Sequence, residues 1–176
     1  MKTLEILDKY RKILAGILSC DINDITFYKD KNLIGELKYS KSEEEAREDA
    51  KERGVPFDMN NYVFVATNLG LGDYAVKYEE EVISTWKLYQ MPHCCAFMVS
   101  CNVNVTEKYR GMRIGTILNQ FRQDIGRVLN YSSILCTDIE QNTHQRKLLK
   151  TNGWKDIHDV VNKRTKNRVY ISVINI

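Results

Sequence analysis

Two arginines and two glycines lie together where a strand-like segment of the chain changes into a helix-like one. Residues 103–105 are β-type, Arg110-Gly111-Met112-Arg113-Ile114-Gly115 follows five residues later, and Thr116 comes next. The first N–H groups of a helix have no partner within the helix, and the helix dipole favours negative charge beside them. Guanidinium groups can pair with phosphate oxygens in the same place. This order of strand, turn and glycine-containing helix start predicts a phosphate-binding site.

Other phosphate-binding motifs fit the chain less well. The segment Gly70-Leu71-Gly72-Asp73-Tyr74-Ala75 has the spacing of a dinucleotide-binding turn, which needs a helix after it. Residues 74–88 contain β-branched and aromatic types, and they predict a hairpin instead. Residues 111–115 are too closely spaced for a Walker A loop and lack its Lys-Ser/Thr pair. A second interpretation of 110–116 stays open, in which Gly115 eases helix packing and the arginines are surface charges.

The segment 110–115 resembles the core motif of the GNAT superfamily of N-acetyltransferases, Gln/Arg-x-x-Gly-x-Gly/Ala. Arg110 and Gly115 match the ends of that motif, and Arg113 stands at its middle glycine. A second group of residues follows with the order and spacing that the family shows: Asn142, Leu148, Leu149 and Gly153-Trp154. The last half of the chain, about 95–176, is therefore similar to this superfamily.

The resemblance implies a single domain, 1–176, with an α/β (α+β) fold. This is the GNAT-like acyl-CoA N-acyltransferase fold, a mixed and mostly antiparallel sheet flanked by helices. Residues 1–90 would form the acceptor-side half, and 91–176 the acetyl-CoA-binding half. The implied activity is direct transfer of an acetyl group from acetyl-CoA to a primary amine of a small molecule or protein, without a metal. A homodimer is compatible with this interpretation.

A catalytically silent GNAT-fold module is the alternative function, and it would bind acyl-CoA or a partner protein. Leu149 motivates it, because the family often carries a catalytic Tyr at that position. Arg113 in place of the glycine motivates it as well.

The resemblance also assigns residues to the acetyl-CoA site. Backbone groups near Val103 and Val105 would bond the pantetheine arm, residues 110–116 would hold the pyrophosphate, and Asn142 would contact the pantetheine. Asn142 could equally be a helix cap, because Asn is favoured at that position. The predicted cofactor-binding set is Val103, Val105, Arg110, Gly111, Met112, Arg113, Ile114, Gly115, Thr116 and Asn142.

Three residues are candidates for the catalytic base that amine acetylation needs. His93 would lie at the start of the central strand, and histidine titrates near neutral pH. Asp138 and Glu140 would lie just beyond the strand 131–137. Each has a structural alternative, a loop histidine after a proline and a polar loop that opens the next helix. His144 and His158 are less well placed.

Composition excludes several other classes of protein. The chain has 176 residues with 43% hydrophobic and 28% charged residues, which suits one globular domain. Its net charge of +3 is too small to indicate a nucleic-acid partner, although the basic segment 162–168 keeps that alternative open. No long apolar run predicts a membrane span, and the N-terminus lacks signal-peptide features. Five cysteines, an odd number without a Cys-x-x-Cys pair, favour free thiols and a cytoplasmic protein.

The pattern of apolar residues predicts the elements that would position these residues. The predicted helices are 3–18, 42–53, 113–130 and 141–152. The predicted strands are 62–65, 74–78, 81–89, 94–105, 131–137, 155–161 and 169–174. Residues 21–30 look polar and turn-like. This order of elements predicts a sheet with helices on both of its faces.

Overall fold

Four helices form where the apolar periodicity predicts them. The computed structural model describes residues 2–176. The helices are α1 (Lys2–Leu18), α2 (Glu43–Glu52), α3 (Ile114–Val128) and α4 (Thr143–Thr151). The Ser42 side chain accepts from the N–H of Glu45, and the Glu45 carboxylate accepts from the N–H of Ser42, so α2 begins with a capping box.

Ten strands form two sheets. They are β1 (Ile25–Lys29), β2 (Asn32–Leu33), β3 (Leu37–Tyr39), β4 (Val63–Val65), β5 (Gly72–Tyr78), β6 (Glu81–Gln90), β7 (Phe97–Val105), β8 (Ser133–Ile139), β9 (Lys155–Val161) and β10 (Arg168–Asn175). The main sheet has the order β2-β1-β5-β6-β7-β8-β10-β9, and β3 pairs with β4 in a separate sheet. Only β7 and β8 run parallel among these pairs. The mixed, mostly antiparallel sheet is therefore confirmed.

The turn predicted at 21–30 is wrong, because that segment contains β1. Ile25 and Phe27 are buried, and β1 pairs with β5 along its whole length. The flanking aspartates, which cap a short helical turn before the strand, make the segment look polar. Two boundaries also differ. Cys94 and Cys95 precede β7, and β8 runs on to Ile139, so Asp138 lies inside the strand.

Helices cover one face of the main sheet, and the prediction of helices on both faces is wrong. α1 packs on α3, and α3 packs on β7 and β8. Arg146 of α4 stacks over Tyr170 of β10 at 3.4 Å, on this same face. On the opposite face Tyr89, Thr137 and Ile139 are exposed, and no helix of residues 2–176 packs there. The sequence correctly predicts where the helices lie along the chain, but the face of the sheet on which they pack depends on tertiary contacts.

Aromatic residues fill the core between the helices and the sheet. The Phe121 ring of α3 lies 4.8 Å from Tyr10 and 4.9 Å from Phe27, measured between centroids. Tyr74 and Trp86 stack at 5.1 Å beneath it. Such pairs contribute about 0.5–1.5 kcal/mol each beyond the burial of their area. This cluster fixes α3 against the sheet, and so it fixes the start of α3 relative to the end of β7.

Candidate functional site

An open cleft forms where the two parallel strands of the sheet separate. β7 and β8 pair at only three positions, from Phe97 with Ser133 to Val99 with Leu135. Beyond Val99 the strands part, and a cleft of about 750 Å³ lies between the end of β7, α3 and α4. A bulge against β6, with Asn102 at φ 52°, bends β7 in this region. The bulge and the short pairing together account for the opening.

The turn before α3 presents free backbone donors to this cleft. Gly111 has φ 83° and Arg113 has φ 63°, so two residues of the turn are left-handed. Within the described residues, the N–H groups of 111–115 donate no hydrogen bond. A left-handed conformation costs a non-glycine residue about 1–2 kcal/mol. The chain tolerates that cost at Arg113, the position of the middle glycine in the motif.

Side chains at the end of β7 hold this turn in place. Nε of Arg110 donates to the carbonyl of Val105 at 3.0 Å, which keeps the guanidinium beside the mouth of the cleft. Glu81 accepts from Lys108 at 2.7 Å and from Tyr109 at 2.6 Å. The bond from Lys108, followed by the one from Tyr109, lowers the pKa of Glu81 below its ordinary value. The turn is thus tied to β6 by a charged carboxylate.

Helix α4 forms the opposite wall of the cleft. Its start is capped by the Asn142 side chain, which accepts from the N–H of Gln145 at 3.3 Å. The cleft residues from this side are Asn142, His144, Gln145, Lys147, Leu148 and Thr151. A Cβ atom on Gly115 would lie 3.1 Å from Cδ1 of Leu148, so glycine allows the two helices to approach. The capping interpretation of Asn142 is observed, and its side chain lines the cleft as well.

The structure brings together nine of the ten residues predicted to bind the cofactor. Val103, Val105 and Asn142 line the cleft, as do 110–111 and 113–116. Met112 does not line it and is 37% exposed. Both arginines of the predicted site, Arg110 and Arg113, therefore line the cleft.

The three candidate bases lie in different places. His93 precedes β7 by four residues, at the end of that strand opposite Val105, and it does not line the cleft. The fold does not bring His93 to the cleft. His144, which the sequence predicts to be less well placed than these three candidates, lines the cleft. Glu140 is exposed and accepts from the Tyr170 hydroxyl at 3.4 Å.

Asp138 is the buried carboxyl near the cleft. Its Oδ1 accepts from the N–H of Ile139 at 3.0 Å, and its Oδ2 has no hydrogen-bond partner among residues 2–176. Burial raises the pKa of Asp138 above its ordinary value. Asn142 lies close enough to oppose that rise, although its geometry does not complete a hydrogen bond to Oδ2. A buried carboxyl with a raised pKa and a free oxygen can accept a proton.

Sequence reasoning missed Arg122, which also lines the cleft. It lies on the buried stripe of α3 with Leu118, Phe121 and Ile125. A charged residue on the apolar stripe of an amphipathic helix is the signal that could have found it, because a lone buried charge is costly.

Several negative findings concern the described residues. No group of three or more potential metal-ligating side chains occurs within residues 2–176. None of the helices in that range is both long enough and apolar enough to cross a membrane. All five cysteines are free thiols.

The fold of this chain is that of the GNAT acetyltransferases. An IAA acetyltransferase from Bacillus cereus superposes with a TM-score of 0.52 at 14% identity, covering 60% of this chain and 78% of that one. A GNAT family acetyltransferase from Elizabethkingia anophelis, solved with acetyl-CoA bound, gives 0.51 at 17%, covering 60% and 76%. The NatC complex bound to Gag peptide and CoA gives 0.52 at 12%, covering 59% and 70%.

These similarities establish the fold and leave about two fifths of the chain outside the superposition. A scan against models of protein families finds no match, and a search of curated protein sequences finds none either. The resemblance to the GNAT superfamily is confirmed at the level of the fold.

Proposed function

We propose that this protein is an N-acetyltransferase that transfers an acetyl group from acetyl-CoA directly to a primary amine. The observation that carries the proposal is the cleft between the end of β7, α3 and α4, closed at one end by free N–H groups and two arginines. Backbone donors at a helix start, with Arg110 and Arg113 beside them, suit the pyrophosphate of a nucleotide-containing thioester. Structural neighbours solved with acetyl-CoA or CoA support the same donor.

The remaining parts of the cleft suit the pantetheine arm. β7 loses its β8 partner beyond Val99, so its backbone groups at Val103 and Val105 can bond the amide groups of a ligand. Asn142 offers a polar side chain on the facing wall. A backbone N–H near the thioester carbonyl would stabilise the oxyanion that forms when an amine attacks.

Asp138 is the base that we assign to the reaction. The attacking amine must be neutral, and its nitrogen loses a proton once it has bonded to the carbonyl carbon. The free Oδ2 of Asp138 and its raised pKa fit acceptance of that proton, directly or through a water. Glu140 lies two residues further on, is exposed, and is the second candidate. The proposed reaction has no covalent acyl-enzyme intermediate.

The acceptor side is assigned to the first half of the chain. A second hollow of about 410 Å³ lies on the helix-free face of the sheet, and most of its lining comes from residues 28–87. Asn102 of β7 also lines it, and the next residue, Val103, lines the cleft. The two hollows are therefore lined by neighbouring residues of β7 at its bulge. An amine bound in this hollow would reach a thioester in the cleft from the other side of the strand.

Calorimetric titration with acetyl-CoA tests the donor site. The wild type is compared with an Arg110→Ala/Gly115→Glu variant, which removes one guanidinium and fills the helix start with a carboxylate. A Lys163→Ala/Lys166→Ala variant is the matched control, because it removes two positive charges from residues of the β9–β10 loop that do not line the cleft. We expect binding by the wild type and the control, and loss of binding in the cleft variant.

Release of free CoA with a panel of primary amines tests the transfer itself. Turnover with any amine supports the acetyltransferase assignment. Binding without turnover across small amines, peptide N-termini and lysine peptides would favour the silent acyl-CoA-binding module instead. A folded wild-type protein that does not bind acetyl-CoA would contradict the proposal.

A further inference from the structure

The most unusual charge in the molecule is the guanidinium of Arg122. Its side chain is buried, with 2% of the residue exposed, and none of the ion pairs formed by residues 2–176 includes it. Burial lowers the pKa of Arg122 to about 10, so the group still carries its charge at neutral pH. Arginine is almost never fully buried without a partner, because the desolvation of its charge costs several kcal/mol.

Arg122 lies at the inner end of the cleft. Its Nη1 donates to Oγ of Ser100 at 2.8 Å, and Ser100 is the first residue of β7 beyond the last pairing with β8. Its Nε donates to the carbonyl of Leu118 at 3.2 Å, within α3. Helix α3 begins at Ile114, eight residues earlier, so about 12 Å of helix separates the phosphate-binding turn from Arg122. One helix thus places positive charge at both ends of the cleft.

The side chains around Arg122 offer hydrogen-bond donors but few hydrogen-bond acceptors. Nη2 of Arg122 and Nε1 of Trp154 both donate to Oδ1 of Asn119, each at 3.2 Å. Nδ2 of Asn119 is buried and has no partner among the described residues. Arg122 has five N–H groups and uses three of them, one on each nitrogen. Two N–H groups, on Nη1 and Nη2, are left for a ligand.

The Cys136 thiol, which interacts electrostatically with Arg122, does not supply the missing negative charge. Burial raises the pKa of the Cys136 thiol to about 12, although Arg122 opposes the rise, so the thiol is neutral at physiological pH. The positive charge and the spare donors remain uncompensated within the protein. A ligand that enters the cleft could compensate both.

We infer that Arg122 is a catalytic residue that binds the negative charge formed at the thioester end of the donor during acyl transfer. This inference rests on the proposed function. In the reaction the amine nitrogen bonds to the carbonyl carbon, and the C=O π electrons move to oxygen. The C=O bond then re-forms, the C–S bond breaks, and sulfur leaves with the electron pair as a thiolate. The proton of the amine passes to Asp138 or to water. Arg122 balances the charge on oxygen and then on sulfur.

Arg122→Met tests this assignment, with Arg127→Met on the exposed side of the same helix as its matched control. Methionine has a similar length and no charge, and Asn119 keeps its bond from Trp154. Replacement of buried charged groups by well-packed apolar side chains of similar volume is often neutral or stabilising. We expect the melting temperature of Arg122→Met to stay at or above that of the wild type. We expect its kcat with acetyl-CoA to fall about 10²–10³-fold, with its acetyl-CoA affinity changed much less.

A binding measurement gives a readout that does not depend on turnover. In the wild type, the affinity for CoA should increase about tenfold between about pH 7 and about pH 9, because a nearby cation favours the thiolate. Acetyl-CoA, which has no thiol, should show no such increase, and Arg122→Met should show none with CoA.

The same titrations distinguish two sources of negative charge for Arg122: the charge formed during the reaction, and a carboxylate carried by the acyl group. If succinyl-CoA binds the wild type at least about tenfold more tightly than acetyl-CoA, and Arg122→Met removes the difference, Arg122 serves an acyl carboxylate. Unchanged kcat and unchanged CoA affinity in Arg122→Met would overturn the inference alone. Loss of folding in Arg122→Met, with Arg122→Lys fully active, would assign a structural role and overturn it. Absence of both CoA and acetyl-CoA binding in the wild type would overturn the proposed function as well.

Discussion

Gly115 on α3 approaches the Leu148 side chain on α4 so closely that a Cβ atom would lie 3.1 Å from Cδ1. The two residues lie on facing walls of the cleft, and Gly115 is the last glycine of the turn motif. Their approach explains why a glycine occurs inside the first turn of a helix, where it costs about 0.5–1 kcal/mol relative to alanine. The walls of the cleft are set by this contact.

Gly115→Ala should weaken acetyl-CoA binding about tenfold and leave the free energy of unfolding within about 1 kcal/mol of the wild type. The alanine gains helix propensity but forces Leu148 to move towards the cleft. Calorimetry and urea unfolding measure the two effects. Gly16→Ala in α1 is the control, because its Cβ would meet nothing within 4 Å. It should stabilise the fold without changing affinity, and equal affinity in both variants would contradict the prediction.

Arg113→Gly should stabilise the protein by up to about 1 kcal/mol and still weaken acetyl-CoA binding. The residue is left-handed at φ 63°, a conformation that glycine adopts without a steric penalty, but the substitution removes a cation from the cleft. Arg110→Ala is the comparison, since it should lower affinity without any gain in stability. An Arg113→Gly variant that binds acetyl-CoA as well as the wild type would show that this arginine has no part in the site.

Asp138→Asn should abolish most of the turnover and keep or increase stability at neutral pH. Because the pKa of Asp138 is raised in the folded state, the folded protein holds this proton more tightly than the unfolded chain. The stability contribution of this group is therefore fully present below its ordinary pKa of 3.8. This contribution is lost as the pH rises through the raised pKa that Asp138 has in the folded protein.

The pH dependence of kcat and of thermal unfolding measures both effects. In the wild type, kcat should rise with pH as Asp138 ionises, and this rise should be absent in Asp138→Asn. Glu140→Gln provides the control on an exposed carboxyl nearby. If Glu140→Gln loses the rise of kcat with pH and Asp138→Asn keeps it, the base is Glu140.

Helix α2 should respond to acid. Hydrogen bonds from Lys41 and then Tyr62 lower the pKa of Asp49 in α2 from 3.8 to about 2. Stability from this carboxylate is present above pH 3.8 and is lost as the pH falls towards about 2. Amide exchange in α2 should therefore accelerate over that window. Asp49→Asn should remove this acceleration, whereas Glu48→Gln on the exposed side of the helix should keep it.

Local signals in the sequence were sufficient for the helices and for most of the residues that were predicted to bind the cofactor and that line the cleft. The capping box at Ser42 and Glu45 and the apolar stripe of α3 depend on residues within a few positions of one another, so they can be read directly. The strand–turn–helix motif at 110–115 is local in the same way. For that reason nine of its ten associated residues were found in one cleft.

Tertiary structure decided the features that depend on residues far apart in the chain. β1 is short and flanked by aspartates, and its pairing with β5, more than forty residues later, is what makes it a strand. The face on which the helices pack follows from contacts between distant segments, such as those of α1 with α3 and of α3 with β7 and β8. Arg122 is buried because Ser100 and Asn119 receive its donors where β7 and β8 part. The sequence alone determined which groups could bind a phosphate, and long-range packing decided which charge lies at the inner end of the cleft.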